Sequence, residues 1–178
     1  MNKFSKIFLK ITGAFIKKLV YINVDYYMTC YTKLLRRMGV KIEGNPKFIS
    51  PDVYFDGNNY SKIRIGNNVT ISREVMILTH DYSITTAMAS VGKIIERHHG
   101  EMFFSREVSI GENCFVGARS SILPGTIIGD NVIIGACSVV KGKVPNNSII
   151  IGNPYKIIGN TKEWVMRQQE LNDYFVEH

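Results

Sequence analysis

The chain has 178 residues, a formal net charge of +7, 45% hydrophobic residues and three cysteines. That length suits a single domain, and that apolar content supports a packed core. The odd cysteine count without paired spacing argues against a disulfide framework. The positive charge fits an anionic ligand, an acidic membrane surface or nucleic acid. No nucleic-acid-binding motif is present, which ranks that partner last.

In chain order, Phe4, Phe8, Ile11, Phe15 and Leu19 recur at helical spacing, with Lys3, Lys6, Lys10, Lys17 and Lys18 among them. This predicts an amphipathic basic helix. The lysines interrupt every apolar run well short of the ~20 residues a membrane span needs. A clean apolar stretch with a small-residue cleavage site is also lacking, which argues against a signal peptide. Such a helix can pack on the body of the protein or on a sister subunit, or it can lie on a membrane surface as a peripheral contact through residues 1–20. A second helix is expected from about Asp25 to Met38, with Arg36 and Arg37 in its last turn and Gly39 as its stop. Residues 1–41 therefore read as a helical segment.

From Val40 onward the pattern becomes extended, punctuated by Pro46 and Pro51, and Ile49, Val53 and Phe55 are expected to form a first, irregular coil. Between Val108 and Ile158 aliphatic residues return at every sixth position: Ile110, Val116, Ile122, Ile128, Ile134 and Val140. Glycine follows four of them, and the fifth position of each hexad is small: Cys114, Ser120, Thr126, Val132, Ser138 and Val144. The same rhythm begins at Ile65, Ile71 and Ile77. A period of six is even, so on an extended chain these aliphatics all point the same way, whereas on a helix they would scatter. Gly66-Asn67-Asn68 and Gly129-Asp130-Asn131 suit tight turns between short strands. One inward aliphatic per short strand, with a turn at fixed intervals, makes a parallel β-helix. The two buried-looking cysteines of this stretch, Cys114 and Cys137, read as small packing residues.

The closing run, Ser138-Val139-Val140-Lys141-Gly142-Lys143-Val144-Pro145 through Ile151-Gly152-Asn153-Pro154-Tyr155-Lys156, resembles the hexapeptide-repeat acyltransferases. Within them it is most similar to the maltose, galactoside and serine acetyltransferase branch, especially the O-acetyltransferases of surface polysaccharides. The resemblance covers roughly Ile42 to Ile158. It implies a left-handed parallel β-helix over residues 42–160, assembled as a homotrimer with active sites between subunits. It also implies acetyl-CoA as donor, with no metal, and a cytoplasmic enzyme, at the inner face of the membrane if the first helix binds lipid.

The six-residue rhythm stops after Ile77-Leu78-Thr79-His80-Asp81-Tyr82 and resumes near Val108. A loop of that length (82–107) inside a compact fold is usually functional or disordered. In the acetyltransferases that this chain resembles, a histidine at this place is the general base. Imidazole suits that task because a sugar hydroxyl needs a base with a pKa near the working pH. His80 is therefore the candidate base, and Asp81 either orients it or contacts the acceptor, with a turn-forming role as an equal alternative because neighbours on a strand point apart. Asp52, Asp56, Asn58 and Asn59 on preceding coils are candidates to reach the acceptor.

For the donor, the resemblance implies a pantetheine arm in the groove between two β-helices, which requires small residues such as Gly117-Ala118 and Gly135-Ala136. Phe115 stands where many relatives carry tryptophan. Lys141, Lys143 and Lys156 lie where the family meets the phosphates of CoA. Here Lys141-Gly142-Lys143 departs from the common Thr-Lys-Asp, so the flanking lysines must take over. His98 and His99 raise a zinc lyase reading, because the same β-helix hosts carbonic anhydrases. Adjacent histidines rarely share one ion, and only His80 and His178 remain to complete a set. Met102, Phe103 and Phe104 are expected to anchor the loop's return on a neighbouring subunit.

At the C-terminus (161–178), Thr161 can cap a helix in which Trp164, Gln168, Leu171 and Phe175 share one face and pack back on the end of the β-helix. The leading function is acetyl transfer from acetyl-CoA to a hydroxyl of a sugar or glycan precursor, directly and without an acyl-enzyme, since no activated Ser or Cys is evident. An amino sugar, serine or chloramphenicol is the alternative acceptor, and a structural β-helix module is a non-enzymatic alternative.

Overall fold

The computed structural model describes residues 3–56, 60–172 and 174–176. Two helices come first. Helix α1 spans Lys3–Lys18, a 3-10 turn follows at Leu19–Tyr21, and α2 spans Val24–Met38. Asn23 caps α2 by accepting from the Tyr26 N–H at 2.8 Å. Gly39 ends it at φ +113°, a left-handed conformation that costs a residue without Cβ little. The expected start and stop of this helix thus hold within a residue. Its inner face buries Tyr27, Met28, Tyr31, Leu34 and Leu35. The Tyr27 hydroxyl donates to the carbonyl of Ile49 at 2.7 Å, which ties α2 to the first coil. Helix α1 packs through Leu9, Ile16, Leu19 and Val20, with Gly13 set close against Leu34.

The next hundred residues wind into a solenoid with three faces. The first face stacks Lys41–Ile42, Ile63–Ile65, Val108–Ile110, Ile127–Ile128 and Lys143–Val144. The second stacks Phe48–Ile49, Thr70–Ile71, Phe115–Val116, Ile133–Ile134 and Ser148–Ile151, and the third stacks Tyr54–Phe55, Met76–Ile77, Ser121–Ile122 and Val139–Val140. All these pairings are parallel. The hexad aliphatics pair in register, for example Ile71 with Val116, Val116 with Ile134 and Ile134 with Ile150, and all four are fully buried. Each strand thus contributes one inward side chain, and the column of these side chains is the core. Ile134→Ala is expected to lower stability by about 2–5 kcal/mol, read from the shift of a urea unfolding midpoint, because the close-packed column cannot collapse into the gap.

The corners explain the other hexad positions. At the first corner Asn68, Asn113, Asn131 and Asn147 all adopt φ between 53° and 58°, which Asn tolerates better than most residues. Their amides form a ladder, Asn68 to Asn113 at 2.9 Å, Asn113 to Asn131 at 3.2 Å and Asn131 to Asn147 at 3.1 Å. The small fifth-position residues turn inward at corners, and their hydroxyls are satisfied by carbonyls: Ser120 and Ser138 donate to Gly135, and Thr126 to Leu123 and Val140. Gly117 is sterically required, since a Cβ there would lie 2.6 Å from the Ala136 nitrogen of the next coil. Cys114 is buried as expected, and its burial pushes the thiol up to about 11. Cys137 is exposed, because its φ of 59° places it at the outer tip of the second corner and not in the packed column.

Residues 82–107 are more ordered than a bare loop. His80–Asp81 pairs antiparallel with Phe104–Ser105, and between them lie a short helix α3 (Ser83–Ala87) and a 3-10 turn (Met88–Val91). The Thr85 hydroxyl donates to the Met102 carbonyl at 2.5 Å and accepts from the Met102 N–H at 2.7 Å, closing the base of this arm. At the far end of the solenoid, Lys156–Asn160 runs antiparallel along Ser148–Ile151 and covers that edge. Helix α4 (Thr161–Leu171) follows, capped by Asn160, which accepts from Lys162 N–H at 2.9 Å, and not by Thr161. The expectation that α4 packs back on the β-helix fails. It buries no residue, and Trp164, Leu171 and Phe175 are exposed. The antiparallel strand already covers the edge, and the helix is too polar to gain much by folding over it.

Candidate active site

The third corner carries the chemistry. Phe55 pairs with Ile77 on the third face, so Asp56 falls beside the chain segment that leads into the arm. Its carboxylate is almost completely buried. A buried carboxylate is costly unless its lone pairs are occupied. Here Oδ2 accepts from the Thr79 N–H at 2.8 Å and the His80 N–H at 3.1 Å, and it also contacts His80 Nδ1. Asp56 thereby holds the ring by one nitrogen and the backbone beneath it by two amides. The imidazole is about one-third exposed and faces a cleft of 610 Å³. Leu78, Asp81, Tyr82, Phe104, Arg106 and Lys141 share that cleft.

Two aromatic rings of the arm restrict the imidazole further. Tyr82 meets it edge-on at 5.3 Å and Phe103 at 6.3 Å, and the two rings pack on each other at 4.8 Å. The Arg106 guanidinium lies over the Phe104 ring at 5.5 Å. Once Nδ1 is engaged by Asp56, Nε2 is the ring nitrogen left to take or give a proton. A histidine held this way, beside a carboxylate and open to a cleft, has the geometry of a general base.

Several expected site residues lie elsewhere or act differently. The contact that orients the imidazole belongs to Asp56, which had been expected to reach the acceptor. Asp81 lines the cleft, but its carboxylate accepts from the Ser83 N–H at 2.8 Å and starts the turn into α3. Ser83, and then the nearby charges of Lys141 and His80, hold that carboxyl below its ordinary range. Adjacent residues on a strand point to opposite sides, and this is why His80 and Asp81 do not touch as a pair. Asp52 does not line the cleft. It ties the second corner together, accepting from the Ser50 hydroxyl at 2.6 Å, the Glu74 N–H at 3.2 Å and Arg73 Nε at 3.4 Å. Burial acts to raise its pKa, but those hydrogen bonds outweigh it and the carboxyl sits below its ordinary value. Asn58 and Asn59 lie outside the described residues.

Of the residues expected at the donor, only Lys141 borders the cleft of His80. Phe115 is exposed on the second face between Thr70 and Ile133. Ala118 and Ala136 line a separate groove at the second corner with Arg73, Glu74, Arg119 and Cys137, and Gly117 and Gly135 directly precede them. Lys143 and Lys156 are exposed near the end of the solenoid. His98 and His99 are exposed on the arm and do not line the cleft. Among the described residues no group of three His, Cys, Asp or Glu is placed to hold a metal ion. Tyr82, Phe103 and Arg106 are additions that hexad spacing does not single out, since they fall where the repeat is interrupted.

Comparison with known proteins agrees with this architecture. Residues 107–142 match the family described as bacterial transferase hexapeptide (six repeats). The chain is 37% identical over 140 residues to Protein CapG of Staphylococcus aureus, covering 79% of this chain and 77% of that protein. It is 34% identical over 128 residues to the putative lipopolysaccharide biosynthesis O-acetyl transferase WbbJ of Escherichia coli K12, covering 60% of each. A galactoside acetyltransferase solved in complex with coenzyme A superposes with a TM-score of 0.56 at 23% identity, covering 100% of this chain and 92% of that one. That superposition agrees with the left-handed β-helix expected here. The chain belongs to the hexapeptide-repeat bacterial transferases, a left-handed β-helix family of acetyltransferases.

Proposed function

We propose that this protein transfers the acetyl group of acetyl-CoA to a hydroxyl of a sugar or glycan precursor, with His80 as general base. The observation that carries the reading is the buried Asp56 carboxylate at Nδ1 of a histidine whose other face borders an open cleft. In this mechanism Nε2 of His80 takes the proton as the acceptor oxygen attacks the thioester carbonyl carbon. The carbon–sulfur bond then breaks, and the same nitrogen returns the proton to the leaving thiolate. Asp56 keeps the ring in place and stabilises it while it carries the proton. Relatives named for lipopolysaccharide biosynthesis and for galactoside support a sugar hydroxyl as acceptor.

The reading includes a homotrimer with its sites between subunits. In a single chain Phe115, Gly117, Ala118, Gly135 and Ala136 lie on the second face and corner, apart from the cleft of His80. A neighbouring copy would bring one chain's groove to another chain's histidine. Lys141, inside the cleft, would then meet the phosphates of CoA.

The test is release of free thiol from acetyl-CoA over a panel of sugars, amino sugars, serine and chloramphenicol. Release with hydroxyl sugars is the expected result. Release only with amino sugars, serine or chloramphenicol would replace the acceptor, and absence of CoA binding at millimolar concentration would favour a structural β-helix.

A further inference from the structure

The positive charge of this protein is not spread over it. Residues 1–41 hold nine lysines and arginines against one acid, Asp25, a net of +8, while the remaining 137 residues hold thirteen against fourteen. The whole cationic excess therefore sits on the two N-terminal helices, and the transferase solenoid is close to neutral.

Helix α1 already uses one face for the protein. Leu9, Gly13 and Ile16, at steps of four and three, turn toward α2 and the core, and Val20 of the following 3-10 turn packs there too. Residues two positions further on lie about 200° around a helix, on the opposite side. There α1 places a second stripe, Ile11, Phe15 and Lys18, and Ile22 follows beyond the 3-10 turn that ends the segment. All four are exposed, Phe15 at 69% and Ile22 at 80%, and Tyr21 beside them is 88% exposed. A helix that only packs on its own domain would be polar on that side. Attachment to the body therefore accounts for one face of α1 and leaves the other unexplained.

We infer that this second face is a docking surface for an anionic lipid bilayer. Charge complementarity favours lipid over another protein. Lysine is depleted at the cores of protein interfaces, yet Lys18 stands in the stripe between Phe15 and Ile22. At a lipid surface its aliphatic stem lies along the acyl region while the ammonium reaches the phosphates. Tyr21 presents an amphipathic ring of the kind that sits at headgroup level. Not every cation of the segment takes part. Lys17 lies 5.9 Å over the Tyr31 ring, Arg36 donates to the carbonyls of Ile42 and Gly44, and Lys41 pairs with Glu107. Lys18, Lys33 and Arg37 are exposed. No helix among the described residues is long and apolar enough to cross a membrane, so the contact is in the plane of the interface.

This inference is independent of the transfer reading, because its readout is lipid binding. The full-length protein is sedimented with vesicles of equal parts phosphatidylglycerol and phosphatidylcholine, and with vesicles of phosphatidylcholine alone. Binding to the anionic vesicles should be about tenfold tighter than to the neutral ones and should weaken as salt rises. Phe15→Glu combined with Ile22→Glu should abolish it, and Lys18→Glu alone should weaken it severalfold. Circular dichroism and sedimentation velocity should be unchanged in both variants. Failure of the native protein to bind anionic vesicles overturns the inference, as does undiminished binding by both variants. A change in assembly mass with the double variant also overturns it, by assigning the stripe to a second copy of the chain.

Discussion

Replacing His80 by alanine is expected to lower kcat/KM for acetyl transfer by about 10²–10⁴-fold, the usual contribution of a positioned general base. In free energy this is about 3–5 kcal/mol of transition-state stabilisation. The fall should lie in kcat, since the side chain acts on a proton that moves only during the reaction. The fold should survive, because the ring is partly exposed at the mouth of the cleft and the backbone N–H of residue 80 still donates to Asp56. Tyr82 and Phe103 would then border a gap that water can enter. Binding of CoA, measured by calorimetry, should be nearly unchanged. A variant that transfers acetyl at the native rate would remove His80 as the base and leave the cleft without an obvious substitute.

The second large effect is expected at Asp56, and two substitutions separate its two duties. Asp56→Asn keeps the shape and one acceptor oxygen for the Thr79 and His80 amides, but it removes the carboxylate that the imidazole touches. Its expected consequence is a fall in kcat of about 10²-fold or more with CoA affinity retained, since a neutral amide cannot stabilise the ring while it carries the proton. Asp56→Ala removes every acceptor. The buried Thr79 N–H and the part-buried His80 N–H then lose their acceptor, and a buried donor without a partner costs about 1–3 kcal/mol. That variant should show a clear drop in thermal midpoint as well as in rate. If Asp56→Asn were fully active, the contact would be purely structural. If Asp56→Ala unfolded at the native temperature, the backbone network around Asp56 would be carrying less than its geometry suggests.

Much of the fold is legible without coordinates. The hexad aliphatics all point inward as their spacing requires, because a period of six on extended chain keeps one direction, and they stack in three columns. The end of α2 at Gly39 is equally local, since it depends on one residue's freedom to reach positive φ. His80 became a candidate through its place where the rhythm breaks taken together with the family resemblance, since the break alone fits an ordinary surface histidine.

The tertiary structure decided what the columns bring together. Asp56 lies 24 residues before His80, and nothing in either local sequence links them. The pairing of Phe55 with Ile77 does, by setting one coil of irregular length over the next, so that a carboxylate from one corner meets the amides and the ring that leave the other. Asp81, adjacent in sequence, loses that role because successive residues of a strand face apart. The arm's aromatic rings reach His80 only through the antiparallel pairing of His80–Asp81 with Phe104–Ser105. At the C-terminus, the strand Lys156–Asn160 took the exposed edge and left α4 free. Local periodicity determined the strands and their inward residues, because those depend on backbone geometry alone. The partners of the charged and aromatic side chains were decided by coil register, which is a long-range property of the folded chain.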